Sequence, residues 1–96
     1  MCKKVFISQP MNGKSNEDIL AERNRIAKKF INAGWEVIDT ILDGSIQTSP
    51  IEYLGESIKR MGNANLVFMM KGWQKARGCR IEHEVAVHYG KDIRYE

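Results

Sequence analysis

LVFMMKGWQKARGCRIEHEVA, residues 66–86, joins three kinds of sequence in one stretch. Leu66 to Met70 is an unbroken apolar run without alternation, as expected of a strand buried on both faces. Lys71 to Arg77 is a short basic loop carrying Trp73. From Gly78 to His88 the spacing is helical, and Tyr89-Gly90 ends it. Strand, loop and helix in that order form the repeating unit of an open parallel α/β sheet, whose ligands bind outside the carboxyl ends of the strands. Glu82 falls in the opening turns of this helix. There the positive end of the helix dipole favours an ionised carboxylate or a bound anion.

Upstream the same alternation recurs. Lys4 to Ser8 reads as a buried first strand, ended by Gln9-Pro10 and the turn Asn12-Gly13. Ser15 with Asp18 three residues later makes an N-terminal cap for a helix carrying Ile19, Leu20, Arg23, Ile26, Ala27, Phe30 and Ile31. Ala33-Gly34 stops it, and Trp35 to Ile38 is a second strand. A polar loop containing Asp43-Gly44-Ser45 follows. Ser49 and Pro50 then cap and start a second helix with an apolar face of Ile51, Leu54, Ile58 and Met61, closed by Gly62. Asp92 to Tyr95 is a short last strand. The order β-α-β-α-β-α-β predicts one three-layer α/β/α domain over residues 1–96, with a four-stranded parallel sheet in the flavodoxin-like order 2-1-3-4.

Composition narrows the function classes. Ninety-six residues suffice for one small core. No apolar run nears the ~20 residues of a membrane span, and Met1-Cys2-Lys3-Lys4 leads directly into a strand rather than a signal peptide. Cys2 and Cys79 lack disulfide-scaffold or metal-site spacing, which fits reduced thiols and a cytoplasmic location. A net charge of +3 without a dense basic block permits an anionic small molecule and argues against nucleic acid. No motif calls for a metal or a cofactor.

Two loops collect the chemistry. Ser8 to Ser15 approaches the phosphate-loop pattern, but Ser8 stands in place of the first glycine and Pro10 removes a backbone donor. Two readings stand side by side: a sugar or phosphate pocket built on Ser8, Gln9 and Asn12, or a solvated turn ahead of a capped helix. In the second loop, Lys71, Lys75, Arg77 and Arg80 either attract an anion or are simply solvated. Trp73 is either a platform for a base or a flap over the core. Glu82 is either a nucleophile toward an anomeric carbon or an ordinary helical carboxylate. Glu84 sits roughly 200° around the helix from it and pairs more naturally with His88 one turn on. His83 is a proton shuttle or a satisfied histidine.

The segments from Lys4 to Lys14 and from Gly72 to Glu84 closely resemble the domain of unknown function 4406 family, which resembles a branch of the nucleoside 2-deoxyribosyltransferase-like superfamily. That resemblance implies a glutamate nucleophile at Glu82, since Gly78, Glu82 and Ala86 fall on the transferases' motif. It implies a substrate pocket using Ser8, Gln9, Pro10, Asn12, Gly13, Trp73, Arg77, Gly78 and Arg80, a nucleoside or nucleotide as ligand, and a homo-oligomer, dimer or larger. Glu84 departs from the motif, which has glycine there. Ser57 falls where a carboxylate for the leaving base is expected, and Ala76 where the transferases have a polar residue. The expected activity is transfer or hydrolysis at an N-glycosidic bond. The alternatives are a nucleotide-binding module without turnover and a small interaction protein with a vestigial pocket.

Overall fold

A computed structural model describes residues 3–38 and 49–96. Its elements are β1 (Lys4–Ser8), α1 (Asn16–Asn32), β2 (Glu36–Val37), α2 (Pro50–Met61), β3 (Leu66–Met69), a single 3-10 turn (Trp73–Lys75), α3 (Arg77–His88) and β4 (Asp92–Tyr95). All strand pairs are parallel and the order is β2-β1-β3-β4, as the alternation of elements predicts. The loop with Asp43-Gly44-Ser45, and Cys2, lie outside the described residues.

Alternation along the strands builds two separate cores. Val5 and Ile7 of β1 join Leu66, Phe68 and Met70 against Ile26 and Phe30 of α1. Phe6, Val67 and Met69 point the other way, against Met61 of α2 and Cys79 and Ala86 of α3. The sheet is therefore covered by α1 on one face and by α2 and α3 on the other, giving the three layers. Parallel strands cannot be joined by tight hairpins, and each crossover here is one of these helices.

The helix ends follow their local chemistry. Ser15 and Ser49 cap α1 and α2, their hydroxyls accepting from the N–H groups of Asp18 and Glu52. Gly34 adopts φ 91° just past α1, a left-handed conformation suited to glycine. Gly72 has the same φ where the chain leaves β3, and turns it into the loop before α3. Beyond β4, Glu96 accepts from the Lys71 N–H and from Arg25, each at 2.8 Å, and so ties down the start of that loop.

Three details depart from the pattern-based reading. The second strand is only Glu36 and Val37, an edge strand flanked by Trp35 and Ile38. Ile51 is 77% exposed, and the buried positions of α2 are Ser57 and Met61. Leu20 and Ile31 are also exposed, so α1 buries a narrower stripe of Ile19, Arg23, Ile26 and Phe30.

Candidate functional site

In the order β2-β1-β3-β4, the chain leaves β1 for one side of the sheet and later returns on the other. The crevice between the carboxyl ends of β1 and β3 is where such a sheet offers a binding site. Ser8 is the last residue of β1 and points to the α3 side. Its hydroxyl donates to Glu82 Oε1 at 2.7 Å, across 74 residues of sequence, and both side chains are buried. Glu82 Oε2 accepts no hydrogen bond among the described residues.

Glu82 is the sixth residue of α3, which begins at Arg77. The helix-dipole effect fades beyond the first turn, so the expectation that it keeps this carboxylate ionised does not hold. Burial dominates instead and pushes the carboxyl up to about 7, with the Ser8 hydrogen bond only partly offsetting it. Near neutral pH the group therefore exchanges between acid and anion. Next to it the Cys79 thiol is pushed up to about 11 by burial and by the Glu82 charge, while Ser8 favours its thiolate. That thiol stays protonated and is no nucleophile at neutral pH.

Glu82 opens on a cavity of about 480 Å³. The β1 end contributes Gln9, Met11 and Asn12, and α2 contributes Pro50, Tyr53, Leu54 and Ser57. The third wall is Lys75 to Arg80. Lys75, Arg77 and Arg80 have no ion pair among the described residues, so three cationic side chains stand at one side of the opening. Gln9 is fixed by its Nε2, which donates to Ile19 O at 2.7 Å and ties the loop to α1. Its Oε1 is buried without a partner among the described residues.

Of the residues singled out in the sequence, Ser8 and Glu82 bond to each other, and Gln9, Asn12, Arg77, Gly78, Arg80 and Glu82 line the cavity. A Cβ on Gly78 would make ordinary contact with Leu54, so packing does not demand glycine there. Pro10 is buried behind the wall, and Gly13, at φ 73°, forms the turn before α1. Trp73 lies against the α2/α3 core, stacked on His83 at 4.3 Å, and His83 Nε2 lies 2.6 Å from the Tyr95 hydroxyl. The indole thus packs on the core and is not among the residues lining this cavity, and the imidazole is engaged by Trp73 and Tyr95. Glu84 pairs with His88 at 3.3 Å on the exposed side of α3.

Sequence reasoning passed over Tyr53, Leu54 and Cys79 as site residues. Tyr53 and Ser57 stand one turn apart on α2, so projecting the helix from Ser57 would have found the tyrosine. Ser57 is buried on the cavity wall.

No curated protein matches this chain. A family model described as a domain of unknown function (DUF4406) matches residues 3–95, nearly its whole length, and the chain belongs to that family.

Proposed function

We propose that the chain acts at the N-glycosidic bond of a nucleoside or nucleotide, with Glu82 as nucleophile, as a member of the nucleoside 2-deoxyribosyltransferase-like superfamily. The observation that carries this reading is the Ser8–Glu82 pair. One carboxylate oxygen is held at 2.7 Å by a buried hydroxyl, and the residue lines a cavity at the carboxyl edge of a parallel sheet. A desolvated carboxylate with a fixed rotamer attacks an anomeric carbon well, because little solvent or side-chain reorganisation precedes bond formation. The glycosyl ester then passes to water or to a second base, with retention of configuration over two displacements.

The test is base release from ribo- and deoxynucleosides and their 5′-monophosphates, with and without an acceptor base. Wild-type protein releases base and Glu82→Ala loses that activity. Full activity in Glu82→Ala would remove Glu82 from the mechanism.

A second reading, nucleotide binding without turnover, draws on Lys75, Arg77 and Arg80 beside the cavity and on Ser57 in place of a carboxylate. It calls for saturable binding of a nucleotide that is recovered intact, weakened by Arg77→Ala or Arg80→Ala. Under either reading the chain assembles as a homo-oligomer. Exposed Ile81, Val87 and Tyr89 on and after α3 supply apolar surface for that contact. A monomer in sedimentation at micromolar concentration would refute the assembly.

A further inference from the structure

The helix α3 turns Cys79, Glu82 and Ala86 inward and leaves a second stripe outside. Arg77, Arg80, Ile81, Glu84 and Val85 recur on it at three- and four-residue spacing and line a groove of about 670 Å³ that runs on to Tyr89. Ile81, 36% exposed, and Tyr89, 80% exposed, put apolar surface where the outer face of such a helix is ordinarily polar. We propose that a second copy of the chain docks on this face. Its α3 packs antiparallel on the first about a two-fold axis, with Arg80 of each copy beside Glu84 of the other. This gives the homo-oligomer a surface and a symmetry, and it holds whether or not the cavity turns over a nucleoside.

The order of charges along the stripe selects the occupant. The first turn of α3 carries Arg77 and Arg80 and no acid, and Ala76 offers no side-chain cap. Cations there oppose the helix dipole, and neither has an ion pair among the described residues. Within one helix, Arg80 and Glu84 stand in the less favourable order for an i, i+4 pair, base before acid. Glu84 turns instead to His88 at 3.3 Å, an exposed pair worth little, so Glu84 can still take a stronger partner. A second α3 running the other way brings its Glu84 level with Arg80 and its negative helix end toward the cations. Ile81 and Val85 of the two copies then meet near the axis. Under a two-fold every contact is made twice, so one complementary pair becomes two. A stripe of a single sign would repel its own copy; this one, basic at one end and acidic toward the other, is complementary to itself.

The same two arginines line the cavity that holds Glu82. The interface therefore borders the cavity mouth, where Glu84 of the second copy fixes the Arg80 guanidinium. Lys75 lines the cavity and not the groove, and its charge is left to an anionic ligand.

Sedimentation velocity at micromolar concentration reads the assembly in wild type, Arg80→Glu, Glu84→Arg and the double variant carrying both. Both side chains are exposed, so circular dichroism should show every variant folded. Wild type should sediment as a dimer. Each single reversal sets two pairs of like charges across the axis and should raise the dimer dissociation constant about 10²-fold. The double variant exchanges the signs and should restore the dimer. A wild-type monomer, single variants as tightly dimeric as wild type, or a folded double variant that stays monomeric would each overturn the arrangement. None of these outcomes involves base release. A chain without glycosidic activity that still shows the charge exchange keeps this interface, and loss of the interface leaves the role of Glu82 to its own assay.

Discussion

On the α1 side of the sheet, Val5, Ile7, Leu66, Phe68 and Met70 meet Ile26 and Phe30 in a cluster made only of apolar side chains. Phe30 closes it with edge-on contacts to Phe68 at 5.1 Å and Trp35 at 5.8 Å. On the other side, the layer begins with Phe6 and Val67 and ends at the carboxyl edge in buried Ser8, Ser57, Cys79 and Glu82. The same two strands supply both faces. Alternation thus lets one strand give its stability to one side and its chemistry to the other. A small domain has little stability to spare, so a buried acid on one face is more tolerable because the cluster on the opposite face is apolar, with buried Arg23 and Gln9 donating to the Ile38 and Ile19 carbonyls at its margin.

The largest effect that would break this comparison is in the apolar face. Phe30→Ala removes a ring from the centre of that cluster and should cost about 3–5 kcal/mol, read as a fall in the midpoint of denaturant unfolding. Ser8→Ala, at the same depth on the other face, should cost far less. Comparable losses from the two would mean that the polar edge also carries the fold.

The second effect sharpens the contrast through pH. Glu82 titrates near 4.5 when unfolded and is pushed up to about 7 when folded. Between those values the folded state holds a proton the unfolded state has released. Stability contributed by this group is therefore fully present below pH 4.5, falls as pH rises toward 7 and then levels off. The drop is about 3 kcal/mol at ~1.4 kcal/mol for each pKa unit. Glu96, held low by the Lys71 N–H and Arg25, acts only below its unfolded value and leaves this window clear. Glu82→Gln should abolish the slope between pH 4.5 and 7, measured by denaturant unfolding at several pH values. A slope unchanged in Glu82→Gln would show that the carboxyl is not desolvated as its burial implies.

These two faces were not equally legible in the sequence. The buried runs Val5 to Ser8 and Leu66 to Met70 and the Ser49-Pro50 helix start mark the elements from local pattern, and the right-handed crossover rule then points to the sheet order. Glu82 was legible from its place in the motif, and its pairing with Ser8 was not, because the contact spans 74 residues. Tyr53 escaped notice for the same reason: its relation to Glu82 exists only once α2 and α3 lie side by side. Trp73 shows the converse. Its position in a basic loop invites a ligand role, whereas the partners that hold it, His83 and Tyr95, arrive from α3 and β4.

A third effect concerns Ser8 itself. Its hydrogen bond favours the Glu82 carboxylate, and Ser8→Ala removes the one contact that opposes burial. The folded pKa of Glu82 then rises further. If the ionised carboxylate is the attacking form, the acid limb of the kcat/KM profile for base release should move to higher pH in Ser8→Ala, with activity partly recovered at alkaline pH. An acid limb that stays in place would separate Ser8 from the ionisation of Glu82.

The smallest effects compare the two ends of the strands. At the amino end, Lys91 Nζ donates to Gly62 O at 3.0 Å and Ala64 O at 2.8 Å, clasping the turn before β3 to the start of β4. Lys91→Met should cost about 1–2 kcal/mol, because two carbonyls lose a charged donor near a partly buried turn. At the carboxyl end, Ser49→Ala removes the α2 cap and should cost about 1 kcal/mol. The two costs are close, but only α2 presents Tyr53 and Ser57 to the cavity. Fraying its first turn should raise KM for the nucleoside, while Lys91→Met lowers stability with KM unchanged. Equal effects on KM would mean that the amino edge communicates with the site, and that the division of labour between the two ends is less sharp than the packing implies.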